Sequence, residues 1–306
     1  MSTAIADIFR QAGCTGQLCV QTLDGSRELT VGADRPVVSA SVFKVNVALE
    51  AETQFADGRL DPRERVTLSA DRRTPGPVGF SLFRDNVSVS LQDLVVPMLT
   101  ISDNVATDAL VDRVGLDVLN TSAVRLGLTG TTIAADLYTM INSIGRETGF
   151  ADWNSLSAWF EQPHSATDEA EIAAKVTSAS ALSAVSATRT TPRDMARLLR
   201  LIWTDQAGPP GACARVRKLM SQQLTRHRLA SAFPPPARVS AKSGGLMGVV
   251  RNEVGVVEYP DGRAYAMAVF TRAAGDQPRD AAINAAIGTA AAAAIDELTG
   301  LQPLPR

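Results

Sequence analysis

Ser39-Ala40-Ser41-Val42-Phe43-Lys44-Val45-Asn46-Val47-Ala48-Leu49-Glu50-Ala51 is the stretch on which the fold turns. Val45, Ala48, Leu49 and Ala51 recur on a 3.6-residue period, which predicts a helix opening near Ser41 and ending near Gly58. Three residues of helix bring the Ser41 hydroxyl and the Lys44 amine to one face. A helix N-terminus also offers free backbone N–H groups and partial positive charge, which favour a developing oxyanion. A serine hydroxyl is a poor nucleophile until a base takes its proton. The chain holds only two histidines, His164 and His227, so a neutral Lys44 is the candidate base. Lysine is scarce here: four of the 30 basic residues, Lys44, Lys175, Lys218 and Lys242. Unlike arginine, lysine can lose its proton when buried or crowded by other cations. Alone, the spacing also describes a capped helix with a surface lysine.

Two further clusters lie downstream. Ser102-Asp103-Asn104 falls in the break between two predicted helices. Ser102 can relay a proton, and Asn104 can hold Lys44 and bind a substrate amide. All three residue types are also good helix caps. Lys242-Ser243-Gly244-Gly245 ends a predicted strand. Lys242 offers a cation to a substrate carboxylate and depresses the pKa of Lys44. Ser243 can donate to the same carboxylate. Gly244 and Gly245 let a substrate backbone lie against the strand edge. By itself this cluster is also an ordinary strand-end turn.

Taken in order, the three clusters resemble the S-x-x-K, S-D-N and K-T-G motifs of class A β-lactamases and penicillin-binding proteins, with Ser243 for the family's Thr. Thr100 to Ala106, Thr190 to Met195 and Lys242 to Asn252 are similar to that family as well, and the resemblance runs from about residue 15 to 300. It implies an acyl-enzyme on Ser41, with an oxyanion hole made by the backbone N–H groups of Ser41 and Gly245. It also implies that Ser102 passes a proton to the leaving nitrogen. Class A enzymes carry an omega-loop pattern E-x-x-L-N, whose Glu activates the deacylating water. The matching stretch here is Ala134-Ala135-Asp136-Leu137-Tyr138-Thr139-Met140-Ile141-Asn142, with Tyr138 in the place of the Glu. Three alternatives stand open: Tyr138 as deacylation base, Glu147 as base from another angle, or no base and a more reactive acceptor than water.

Working outward, strands are predicted at Gln17 to Thr22, Glu28 to Val31, Arg238 to Ala241, Val249 to Glu258 and Ala264 to Thr271. Helices are predicted at 3–12, from Ser90 to Thr100 with Pro97 inside, at Val105 to Val114, from Thr191-Pro192 to Trp203, and at the Ala-rich end. The expected fold is a two-lobed α/β (α+β) β-lactamase-like one. Residues 1–38 and 225–306 give an antiparallel sheet with terminal helices. Residues 39–224 give a helical lobe whose segment 128–190 is longer than an omega loop. That segment holds Trp153, Trp159 and Phe160, and then an acidic run; 178–191 is rich in Ser, Ala and Thr.

Composition narrows the function classes. Hydrophobic residues make up 45% and charged residues 20%, with a net charge of −2, so nothing recruits nucleic acid or an anionic membrane by bulk charge. The start lacks the apolar run of a signal peptide, and Asp7 and Arg10 interrupt it; the expected address is cytoplasmic. Three cysteines at no metal-binding spacing, with two histidines, argue against a zinc site. The expectation is therefore an enzyme with no cofactor and no metal, acting on a small molecule. An esterase or acyltransferase that handles β-lactams poorly, and a β-lactam-binding protein that stays acylated, are the rivals.

Overall fold

The computed structural model describes residues 3–275 and 280–300; the remaining residues of the predicted end segments, 1–2, 276–279 and 301–306, lie outside the described residues. The strands are β1 (Cys14–Thr22), β2 (Glu28–Val31), β3 (Val37–Val38), β4 (Arg65–Leu68), β5 (Val87–Ser90), β6 (Arg189–Thr190), β7 (Arg238–Leu246), β8 (Val250–Glu258) and β9 (Ala264–Ala273). Five of them form one antiparallel sheet in the order β2-β1-β9-β8-β7. β1 pairs with β9 along its whole length, from Cys14 opposite Ala273 to Thr22 opposite Tyr265. The two chain ends thus close a single sheet, as the sequence predicts, with β2 and β7 as its edges. β3 with β6 and β4 with β5 make two small ribbons that the sequence reading did not find.

The helices are α1 (Thr3–Gln11), α2 (Lys44–Ala56), α3 (Leu91–Thr100), α4 (Asn104–Val114), α5 (Leu116–Arg125), α6 (Leu137–Glu147), α7 (Trp153–Phe160), α8 (Ala166–Ser178), α9 (Pro192–Trp203), α10 (Pro210–Ser221), α11 (Leu229–Ala232) and α12 (Asp280–Thr299). Their starts follow local chemistry. The Ser90 side chain accepts from the Asp93 N–H, that of Asp103 from Ala106, and that of Thr191 from Asp194 with Pro192 in the first turn. Each cap satisfies a donor the helix leaves unpaired.

The sheet is apolar on both faces because both are covered. Along β9, Tyr265, Met267 and Val269 pack with Ile5 and Phe9 of α1 and Ile283, Ile287 and Ala290 of α12. The alternating set Ala266, Ala268 and Phe270 packs with Met195, Leu198 and Ile202 of α9 and with the helical lobe. α12 is long and apolar enough to cross a membrane by length and composition, yet half of it is buried in this packing. The three cysteines are buried and unpaired, and burial pushes the Cys14 thiol to about 11 and the Cys19 thiol to about 12.

Ser41 does not open an α-helix. Ala40–Phe43 is a 3₁₀ turn, and the α-helix starts at Lys44. Ser41 thus lies in the 3₁₀ turn and Lys44, three residues on, opens the α-helix. α2 is also more than amphipathic: Lys44, Asn46, Glu50, Thr53 and Gln54 are buried beside its apolar residues. It is the axis of the helical lobe, with α4, α5 and α10 around it.

Candidate active site

Ser41 lies where α2 meets the edge strand. The residue before it, Ala40, has φ 46°, and Ser102 has φ 66°. Left-handed backbone in residues other than glycine costs on the order of 1–3 kcal/mol and persists only when neighbours hold it. At Ala40 the holder is Asn252 of β8, whose Nδ2 donates to the carbonyls of Val38 (2.9 Å) and Ser39 (3.1 Å). At Ser102 it is Lys44.

Lys44 is fully buried. Its Nζ donates to the Ser102 carbonyl at 2.7 Å, to Asn104 Oδ1 at 2.8 Å and to Ser102 Oγ at 3.3 Å. Burial drives its pKa down from 10.5 to about 7, while the carboxylates of Asp108 and Asp103 pull it upward. A lysine with that pKa is neutral in a large fraction of molecules at neutral pH and can accept a proton. Asn104 is fixed from the other side by donating to the Pro75 carbonyl at 2.8 Å.

The loop carrying Pro75 packs against Asn104 and Asp103. Buried Asp103 accepts from the Ala106 N–H at 2.9 Å and from the Phe80 N–H at 2.7 Å. Gly79 has φ +64°, and a Cβ there would fall 2.0 Å from Asp103 Oδ2. Asp103 cannot move without losing its cap. Gly79→Ala is therefore expected to cost more than about 2 kcal/mol, lowering Tm by roughly 5 °C. A scanning-calorimetry Tm equal to the wild type would contradict this packing.

β7 brings the third cluster. Gly244 packs directly on the nucleophile: a Cβ would lie 3.1 Å from both Ser39 O and Ser41 N. The Ser243 N–H points off the sheet edge to Gln223 Oε1. By the two-residue repeat of a strand, the Gly245 N–H points the same way, toward the cleft. Lys242 is fully buried and donates to the Ser243 carbonyl at 2.7 Å. Burial, then the charge of Lys44, push its pKa well down; Glu253 works against them. An incoming carboxylate would favour its charged form.

Ser41, Lys44, Ser102, Asn104, Lys242, Ser243, Gly244 and Gly245 thus come together from three separate stretches. Tyr138 and Glu147 behave differently. Tyr138 begins α6 near the site; its backbone N–H donates to Asp108, and Arg72 lies 4.9 Å over its ring. Among the described residues its hydroxyl has no hydrogen bond, and no lysine lies over the ring. Glu147 ends α6, about 13 Å further along the axis. Its carboxylate accepts from the Ser180 N–H at 2.7 Å and from the Ser180 hydroxyl, so the helix turns it into the enlarged segment and away from the cleft. Asn142, the last residue of the omega-loop pattern, accepts from the Trp153 N–H at 3.1 Å and anchors α7. The enlarged segment has a core of its own, where Leu156, Val176 and Leu182 pack on Val38, Ala40 and Leu246 beside the nucleophile.

Four residues escaped the sequence reading. Asp108 sits one helical turn after Asn104. It accepts from the Leu137 N–H (2.7 Å), the Tyr138 N–H (2.8 Å) and the Thr74 hydroxyl (2.6 Å), and burial raises its pKa to about 6. Arg228 donates to the carbonyls of Gly244 (2.8 Å) and Asn252 (2.7 Å), and puts a second cation beside Gly245. Glu253, fully buried, accepts from Gln223 (3.1 Å) and from the Leu229 N–H (2.6 Å). Gln223 links it to Ser243.

The profile of the Beta-lactamase enzyme family matches residues 1–298. This chain belongs to that family. A β-lactamase regulatory protein, BlaB of Streptomyces cacaoi, is 30% identical, over 92% of this chain and 93% of its own. The extended-spectrum β-lactamase PER-1 of Pseudomonas aeruginosa is 24% identical over 86% and 77%. A β-lactamase of Sphaerobacter thermophilus superposes with a TM-score of 0.76 at 23% identity, over 99% of this chain and 98% of that one. PBP-A superposes at 0.73 and 22% identity over 97% of each. The family and its fold make this chain a serine hydrolase of the β-lactamase and penicillin-binding protein superfamily.

Proposed function

We propose that the chain cleaves an amide, lactam or ester bearing a carboxylate near the scissile carbonyl, through an acyl-enzyme on Ser41. One observation carries this: a fully buried lysine of pKa about 7, one 3₁₀ turn after Ser41, bonded to both Ser102 and Asn104. Neutral Lys44 takes the Ser41 proton as Oγ attacks the carbonyl carbon. The N–H groups of Ser41 and Gly245 receive the oxyanion. Ser102 hands a proton from Lys44 to the leaving atom as that bond breaks. Lys242, Ser243 and Arg228 hold the substrate carboxylate. A mutant of the neighbour PBP-A is known as an acyl-enzyme complex with penicillin G, which supports the reading.

A second reading concerns the next step, and Asp108 favours it. The carboxylate near Lys44 on α4 is already bound by three donors, and the family's Glu is Tyr138. Loss of a positioned base typically costs ~10²–10⁴ in rate. The protein then acylates quickly and deacylates slowly, which suits sensing better than defence. That its relative BlaB is a regulatory protein fits this reading. With a chromogenic cephalosporin, the expected result is a burst of one equivalent followed by slow turnover, with an adduct visible by mass spectrometry. Fast linear turnover without a burst would reject slow deacylation. Absence of any burst, adduct or turnover with lactams or activated esters would reject the acyl-enzyme.

The pH profile follows from Lys44. The base works when neutral, so acylation kcat/KM should rise with pH, tenfold per unit below about 7, and level off above it. Asp108→Asn removes a charge that favours protonated Lys44, so the midpoint should move to lower pH. An unmoved or raised midpoint would contradict the proximity of the two groups.

A further inference from the structure

A second cleft, lying away from Ser41, gathers positive charge. It encloses about 620 Å³ between the ends of α9 and α10 and the start of β7. Arg217, Lys218, Arg226 and Arg238 line it, with Glu258 as its one acid and Trp203 on one wall. With Arg217 paired to Asp205, three cations are left against one carboxylate in a chain whose net charge is −2. Two of the cations are held in place by protein groups. Arg217 pairs with Asp205 at 2.7 Å and also bonds the Ile202 carbonyl, and Arg226 donates to the Val239 carbonyl at 2.9 Å. Lys218 and Arg238 have no ion pair among the described residues, although Arg238 stands directly opposite Glu258 in the β7–β8 register. The C-terminal end of α10 accounts for Lys218 alone. It does not account for Arg226 and Arg238 arriving beside it from other parts of the chain. Like charges gathered in a concave site raise the local potential and select an anion. Gln222 and Ser240 add neutral donors to the same walls.

We infer that this cleft is a binding site for a phosphate-bearing anion of di- or triphosphate size. Guanidinium groups match phosphate oxygens in paired hydrogen bonds, and the volume is that of a small-molecule site. The Trp203 ring offers a stacking wall should the phosphates come with a nucleoside. The site is separate from the one that reacts. Ser240 precedes Lys242 by two residues on the same strand face, about 7 Å away, and Gln223 stands between, turned to Ser243 and Glu253.

The test is calorimetric titration of the full chain at low salt with inorganic tripolyphosphate and with ATP, in the wild type and in a Lys218→Glu, Arg238→Glu double variant. Both residues are exposed and outside the catalytic cluster, so Tm and Ser41 labelling should not change. The expected result is saturable binding to the wild type that weakens with added salt and falls at least tenfold in the double variant. Equal binding of the two probes assigns the phosphates alone as the ligand chemistry; tighter ATP assigns a nucleotide. Wild type that binds neither probe up to millimolar concentration overturns the inference. So does a correctly folded double variant that binds as tightly as the wild type, because the anion would then sit elsewhere, with Lys242 and Arg228 the nearest alternative.

Discussion

Ser41→Ala is expected to abolish covalent labelling by penicillin or by a fluorophosphonate and to lower acylation by at least about 10⁴-fold. The reason is positional. Ser41 is the serine whose N–H faces Gly244 of the edge strand, with Lys44 one 3₁₀ turn on. Ser102 and Ser243 are nearby, but Ser102 is engaged by Lys44, and Ser243 is in the strand beyond Gly244. Alanine fits the 3₁₀ turn, so folding should be retained. Intact-mass spectrometry gives the answer directly. Labelling of the variant at the wild-type rate would move the nucleophile elsewhere.

Lys44→Arg carries the second large effect. It retains the charge but removes the base, since arginine stays protonated at any working pH. The Lys44 site is also closed on all sides, with three acceptors placed for a single nitrogen, and a guanidinium does not fit it. Acylation should fall by about 10³-fold, within the usual range for a general base. Lys242→Arg should act mainly on KM, because an anchor for a carboxylate needs charge and donors rather than proton transfer. Pre-steady-state acylation rates with one β-lactam at several concentrations separate the two. Equal losses in the rate constant for both variants would contradict the division of roles.

Much of the site was legible because its chemistry is local. Ser41 with Lys44, Ser102 with Asn104, and Lys242 with Gly245 each sit within four residues, and the caps at Ser90 and Thr191 fixed their helices. The missed groups are those that meet only through packing. Gln223 and Arg228, from the segment after α10, meet Glu253 of β8 and the strand β7 only in the folded chain. Asp108 could have been found, since it lies four residues after Asn104 and shares its helix face. β7 was predicted to stop at Ala241 because Gly244 and Gly245 read as a turn. Pairing with β8 carries it to Leu246, so the glycines lie inside the strand, where Gly244 makes room for the nucleophile. α5 passed unread although Leu119 and Ala123 mark its buried face. Glu147 is near Tyr138 in sequence but not in space. The rotation and rise of α6 carry it to Ser180 instead.

The most direct test of the central claim is peptide mapping after brief exposure of the whole protein to a penicillin. The account predicts a mass increase equal to the intact penicillin, confined to the peptide containing Ser41 and persisting long enough to be isolated. Stoichiometric adduct on any other residue, or no adduct on the Ser41 peptide at any time, would contradict it.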